Sequence, residues 1–326
     1  MSDTIYIIGA GAIGSLVGSF LTKKFGKERI VLVDVDEEHI AAIEKDKLKV
    51  LDKGAKRSKP EFVDVNIVNA DQVDKSKLKN VILATKSYSN DQALKNLRKD
   101  IHMLVLQNGC DERIKQFPNA IRGIEFGFAC QIKEPGYVFN AVKGKYVFGR
   151  SDGLTTQVAD WAAIFNQAGI KTEIKDNIDG YLWSKLLINS ALNPVSAIKR
   201  CSFQQLIQND ESRELFKKLY IEGYPVAKRK ADQLDQKLGS FIGPPHLADW
   251  IFKKHGLSDF LLKRIAGKFG EVESSMLQDV RKDRPTEIDF INGQIINLGK
   301  EYGIETPENE TIHRQIKKVT ISKNCV

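Results

Sequence analysis

Apolar, β-branched residues crowd the start of the chain. Thr4 to Gly9 reads TIYIIG, and the helical spacing that follows from Ala12 to Phe25 predicts a strand, a turn and a helix. A second apolar run, Arg29 to Asp34 (RIVLVD), closes that unit. Strand-like runs recur at Val81 to Thr85, Met103 to Leu106 and Ile121 to Phe126, with a helical stretch from Asp91 to Arg98 between the first two. Strands alternating with helices predict a parallel sheet covered on both faces. From Gly136 to Gly149 (GYVFNAVKGKYVFG) the pattern becomes two β-rich runs about Lys143 and Gly144, read as an antiparallel hairpin at the sheet edge. A helix near Thr156 to Ala168 and a strand from Lys171 to Ile174 complete this part. After Asp176 strand signals nearly vanish. The expected organisation is therefore an α/β domain with a doubly wound parallel sheet over residues 1–176 and an all-helical C-terminal domain over 177–326.

With 326 residues, 42% of them hydrophobic, the chain can bury the cores of about two domains. No apolar run approaches the ~18 residues of a membrane span, and the apolar start follows Asp3 instead of a basic segment, so it reads as fold and not as a signal peptide. The four cysteines, at 110, 130, 201 and 325, have no CxxC spacing, which points to free thiols in a reducing cytoplasm. Five scattered histidines predict no metal site. A net charge of +8 would permit nucleic-acid binding, but 50 basic residues are interleaved with 42 acidic ones and no nucleic-acid motif accompanies them. The lysines read as a solvated surface whose potential attracts small anions. A small-molecule partner is expected, with neither nucleic acid nor membrane.

The chemistry begins at GAGAIG, comprising Gly9, Ala10, Gly11, Ala12, Ile13 and Gly14, which stands directly after a strand and before a helix. The first glycine allows a tight turn, the second lets backbone approach a pyrophosphate, and the third permits close packing of helix on strand. The helix N-terminus offers N–H groups and partial positive charge to the phosphates. This context makes the first domain Rossmann-type. Asp34 ends the second strand, 20 residues after Gly14, where a carboxylate can accept from a ribose 2′-OH and would repel a 2′-phosphate; NADH is favoured, with NADPH possible. Asp36 competes for that role, and Lys45 or Lys47 could still reach a phosphate. FAD uses a similar fingerprint, so the motif alone does not select a nicotinamide.

A second constellation lies in Trp183 to Pro194 (WSKLLINSALNP). Lys185, Asn189 and Asn193, at i, i+4 and i+8, share one helix face, drifting ~40° per step over roughly 12 Å. Between them run Leu186, Leu187, Ile188, Ala191 and Leu192, so the face reads as a polar pocket wall or as a solvated stripe on an amphipathic helix. Pro194 is expected to end the helix and leave Asn193 at its tip.

With these residues added to the fingerprint, the chain resembles the ketopantoate reductases, or 2-dehydropantoate 2-reductases, over nearly its whole length. The resemblance also rests on VILATKSY with Lys86, LQNG with Asn108, and SSMLQDVRKDRPTEIDFING from Ser274 to Gly293. It implies a 2-oxo acid reduced in a cleft between two domains by hydride from a nicotinamide, and a homodimer. It implies further that Lys185 is the proton donor, that Asn189 and Asn193 hold substrate oxygens, and that Ser275 contacts the substrate carboxylate. Lys86 and Asn108 would line the nicotinamide end, Asn108 also touching substrate, and Glu287 would reach the cofactor ribose and the catalytic centre. Hydride addition builds charge on the carbonyl oxygen, so a cation able to release a proton suits the Lys185 position. Pro285 is expected in the first turn of a helix running through Gly299 to about Gly303. Asp34 departs from the family, most of whose members carry a basic residue nearby; an acid is more like NADH-dependent D-2-hydroxyacid dehydrogenases acting on branched or aromatic 2-oxo acids. A rival of another class is a dinucleotide sensor without turnover. Cys110 reads as packing, and the stretch from Asp232 to Gly256, with Pro244, Pro245 and Trp250, as family-variable.

Overall fold

A computed structural model describes residues 3–53, 59–127, 129–239 and 257–321; Pro244, Pro245 and Trp250 lie outside them. Residues 1–107 and 111–178 form one compact unit, and residues 108–110 with 179–326 form another.

The first unit is built on an eight-stranded sheet. Its core comprises β1 (Ile5–Ile8), β2 (Ile30–Asp34), β5 (Asn66–Asn69), β6 (Asn80–Leu83), β7 (His102–Val105) and β8 (Ile121–Phe126), all parallel, in the order β8-β7-β6-β1-β2-β5. Both faces of the central strands are covered, and every residue of β6 is buried, which is why their sequences run apolar without alternation. β11 (Lys145–Gly149) adds antiparallel to β8, and β12 (Thr172–Ile174) pairs parallel with β11. Helices α1 (Ala12–Phe25) and α4 (Thr156–Gln167) fall where the periodicity predicts them; α2 (Glu37–Asp46) was not signalled. The expected helix from Asp91 to Arg98 is only one turn, α3 (Asn90–Ala93); Asn96 has φ 65 and the following leucines, Leu94 and Leu97, drop into the core.

The expected hairpin across Lys143 and Gly144 does not form. Its first run is β10 (Tyr137–Asn140), which belongs to a second sheet in the order β4-β3-β10-β9, with β3 (Leu48–Asp52), β4 (Glu61–Val63) and β9 (Cys130–Glu134). The reversal occurs one turn earlier, at Pro135-Gly136, where Gly136 takes φ 74. Only the second run, β11, joins the main sheet.

The second unit is helical among the described residues: α5 (Ile178–Lys199), α6 (Phe203–Gln208), α7 (Asp210–Gln233), α8 (Leu257–Phe269), α9 (Ser275–Arg281), α10 (Ile288–Tyr302) and α11 (Pro307–Ile321). Trp183, Leu186, Leu187, Ala191 and Val195 form the buried stripe of α5 and pack with Phe216 and Leu219 of α7 and Ile295 of α10. Cys110 packs against this cluster. Helix α5 continues past Pro194 to Lys199, so Asn193 is not at its tip. Proline costs the helix one bond, to the carbonyl four residues earlier. That carbonyl, of Ser190, accepts instead from the side-chain amide of Asn292 at 2.8 Å. Pro285 likewise stands outside its expected helix, because α10 begins only at Ile288; the far end is as read, with Gly303 left-handed at φ 68. No helix of the described residues is long and apolar enough to cross a membrane.

Candidate active site

In the first unit the GAGAIG loop joins β1 to α1, and its three glycines face different constraints. Gly9 has φ 97, and a Cβ there would lie 2.6 Å from the Thr85 nitrogen. At Gly14 a Cβ would lie 1.9 Å from the Gly9 carbonyl oxygen. At Gly11 nothing stands within 4 Å. The protein therefore needs the first and third glycines for its own packing and leaves open space at the second. Gly11 is the N-cap of α1, whose first turn has no acidic residue, and the opening N–H groups of a helix have no partners within it. This open, electropositive cradle fits the pyrophosphate of a dinucleotide.

Asp34 closes the loop from β2. Its Oδ2 accepts from the Ala10 N–H at 2.5 Å, and its Oδ1 from the N–H groups of Val35 and Asp36 at 2.7 and 3.0 Å. Ala10 therefore shapes the loop, its N–H directed to Asp34 and not to a phosphate. Asp36, the rival acid, is the N-cap of α2, accepting from the His39 N–H at 3.1 Å. Lys45 and Lys47 sit in the last turn and C-cap of α2, about 15 Å along the helix from Asp36. The loop is also braced from behind. The Gly136 N–H donates to His39 Nδ1 at 3.1 Å, His39 Nε2 lies 3.3 Å from Ser15 Oγ, and Ser15 donates to the Ala10 carbonyl at 2.5 Å. With Nδ1 an acceptor, Nε2 carries the proton toward Ser15.

Lys86 follows β6 at the start of a single 3-10 turn, Ser87–Ser89. A buried amide network underlies it. Gln107 donates to the Thr85 carbonyl at 2.9 Å and to Asn90 Oδ1 at 2.6 Å, while Asn90 donates to Gln107 at 3.0 Å and to Asp111 at 2.6 Å. Arg113 joins Asp111 through Nε at 2.9 Å and donates to the Ser87 carbonyl at 2.8 Å. Burial works to raise the Asp111 carboxyl, but hydrogen bonds from the Arg113 side chain and backbone and from Asn90 outweigh it, holding the group below its ordinary range.

In the second unit Lys185 and Asn189 are half-buried on α5 and Asn193 is buried. Ser274, the N-cap of α9, accepts from the Leu277 N–H at 3.2 Å, and its hydroxyl lies 3.5 Å from the Asn193 carbonyl. Ser275, the first residue of α9, therefore starts beside the Asn193 end of the polar face. Glu287 is the N-cap residue of α10 and is 3% exposed. Asn108 enters by a turn against the same helix start. The Cys110 N–H donates to the Phe290 carbonyl at 3.2 Å, and Gly109, at φ 74, approaches so closely that a Cβ would lie 2.4 Å from that oxygen. The unit thus groups Lys185, Asn189, Asn193 and Ser275 along α5 and α9, and Asn108 with Glu287 at the start of α10. Sequence reasoning missed Gln107, Asn90 and Asn292. Pro194 inside an apolar helix signals an orphaned carbonyl at Ser190, but not which residue meets it. Among the described residues, no group of three His, Cys, Asp or Glu side chains could hold a metal ion.

Two family models match the chain: "Ketopantoate reductase PanE/ApbA" over residues 5–153 and "Ketopantoate reductase PanE/ApbA C terminal" over residues 177–320. The 2-dehydropantoate 2-reductase of Pyrococcus horikoshii is 33% identical over 320 residues, covering 96% of each chain. Among solved structures, a PanE/ApbA family ketopantoate reductase from Ralstonia eutropha superposes with a TM-score of 0.78 at 26% identity, covering 98% of this chain and 99% of that one. D-mandelate dehydrogenase with NADH and anilino(oxo)acetate shares the fold, with a TM-score of 0.80 at 22% identity and coverages of 98% and 99%.

Proposed function

Since this chain belongs to the ketopantoate reductase family, we propose that its residues carry out the reduction of 2-dehydropantoate to D-pantoate, with Lys185 as proton donor. GAGAIG would hold the pyrophosphate of a reduced nicotinamide dinucleotide, which would supply the hydride for the 2-oxo carbon. Lys185 holds a positive charge toward the carbonyl oxygen as charge develops there, and then gives it a proton, so the ketone becomes an alcohol. Asn189 and Asn193 orient substrate hydroxyl and carbonyl oxygens, and Ser275 receives the carboxylate. Glu287 and Asn108 serve the cofactor ribose and the reacting centre, and Lys86 the nicotinamide end. Asp34 selects NADH, because its carboxylate accepts from a ribose hydroxyl and repels a 2′-phosphate. The functional form is a homodimer. The observation that carries this reading is half-buried Lys185 aligned with Asn189 and Asn193 on a helix whose buried stripe is Trp183, Leu186, Leu187, Ala191 and Val195.

Asp34 also favours a second reading, in which the chemistry is retained and the substrate is a branched or aromatic 2-oxo acid. Steady-state oxidation of NADH and NADPH, each with ketopantoate, 2-oxoisovalerate, 2-oxoisocaproate and phenylglyoxylate, separates the two. A kcat/KM highest for ketopantoate supports pantothenate synthesis; preference for another acid makes this a D-2-hydroxyacid dehydrogenase. Absence of turnover with all four would leave a dinucleotide sensor.

A further inference from the structure

The polar face of α5 is carried by a helix with a proline in its body, and the carbonyl that Pro194 leaves without a helical partner is that of Ser190, between Asn189 and Asn193. Ser190 is fully buried, so water cannot satisfy that oxygen. Its partner, Asn292, is also fully buried and reaches across from α10, 102 residues later in sequence. The second Asn292 proton goes to Asn309 Oδ1 on α11 at 2.9 Å. Asn309, itself fully buried, donates to Glu222 Oε1 on α7 at 2.8 Å. The same carboxylate accepts the N–H groups of Glu308 and Asn309 at 2.8 and 2.9 Å, capping α11. The line from Glu222 to Ser190 thus crosses four helices. Acceptors at both ends, a carboxylate and a carbonyl, fix the direction of the two amides between them.

We propose that Asn292 is a positioning residue for the substrate-binding face of α5. By replacing the hydrogen bond that Pro194 cannot make, it holds the turn between Asn189 and Asn193 in register. This inference rests on the reading of that face as the 2-oxo acid site. Asn189 and Asn193 are the groups that hold the 2-oxo acid in that reading, so displacing their turn weakens its binding, whereas the glycine fingerprint that holds the dinucleotide lies in the other unit.

The test pairs Asn292→Leu with Pro194→Ala, which restores an N–H to position 194. With ketopantoate and NADH, Asn292→Leu is expected to raise the 2-oxo acid KM about tenfold or more while the NADH Kd, read by fluorescence titration, stays within about twofold. In Pro194→Ala/Asn292→Leu the Ser190 carbonyl has a backbone donor, and the KM is expected within about threefold of Pro194→Ala alone. An unchanged 2-oxo acid KM in Asn292→Leu overturns the proposal. So does a rise shared equally by the NADH Kd, which would mark general loosening. A double variant as impaired as the sum of its parts, or as insoluble as Asn292→Leu, overturns it too. Lys185→Ala keeps the underlying reading separate: full turnover there defeats the substrate-site reading itself, whereas lost turnover beside an unaffected Asn292→Leu defeats only the positioning role.

Discussion

The Asp34 carboxylate accepts the backbone N–H of Ala10, so the acid that ends β2 also fastens the glycine loop that ends β1. One oxygen is tied to that loop and the other to the two residues that follow Asp34, which fixes the carboxylate at the carboxyl edge of the sheet. Replacement by arginine removes the anion and supplies a partner for a 2′-phosphate. Asp34→Arg is expected to move the kcat/KM ratio toward NADPH by one to two orders of magnitude, and to weaken NADH binding beyond the loss of one ribose contact because Ala10 is freed. Competition between the two cofactors in initial-rate assays measures this; an unchanged ratio removes Asp34 from cofactor selection.

The glycines of the loop separate binding from folding. Gly14→Ala must displace the Gly9 carbonyl, and a loss of about 1–3 kcal/mol is expected in denaturant unfolding. Gly11→Ala meets no protein atom, so its unfolding midpoint should match the parent while dinucleotide affinity falls at least about tenfold. Undiminished affinity in Gly11→Ala would mean that the phosphates lie elsewhere.

Lys185→Ala is expected to reduce turnover by about two to four orders of magnitude, with dinucleotide binding retained because the fingerprint belongs to the other unit. Single-turnover rates beside NADH titration read both quantities. Retained turnover would transfer the proton-donor role to another group.

Asp111 gives the first unit a defined acid limit. Its folded carboxyl lies below the ordinary range, so the unfolded chain takes up the proton first as pH falls. The contribution is complete above the ordinary carboxylate pKa of ~3.9 and is lost as pH drops through the lower folded value. Asp111→Asn should flatten this portion of the stability profile below about pH 4, seen as a smaller fall in urea midpoint between pH 5 and pH 3 than in the parent. Identical slopes in the two proteins would exclude it.

The central strands, α1, α4 and the helical character of the second unit were legible because burial imposes apolar runs or helical periodicity on them. The small sheet was not. β4 and β9 are short and partly exposed edge strands, and the pairing that joins the two halves of the sheet, β3 with β10, links segments far apart in sequence, which no local pattern encodes. The hairpin reading failed at Pro135-Gly136, where the true turn signal stands just ahead of the run that drew attention. In the candidate site, the placement of residues at a set spacing was legible: Lys185, Asn189 and Asn193 stand along α5, and the three glycines stand between β1 and α1. The supporting amides were invisible for the opposite reason. Asn90, Gln107 and Asn292 matter through partners 17 to 102 residues away, and an asparagine or glutamine alone does not announce a buried donor.

The second sheet is woven from two excursions of the chain, one between β2 and β5 and one between β8 and β11. Its central pairing joins β3 to β10, and the Asn140 to Asp52 contact spans 88 residues. The bond from Gly136 to His39 that braces the cofactor loop spans 97. Loop-closure entropy makes such high contact-order pairings late events in folding. The parallel strands of the main sheet, from β1 to β8, all precede Gly136 in the chain, so during synthesis the support of the nucleotide cradle must wait until the segment carrying Gly136 has emerged, long after the glycine loop itself.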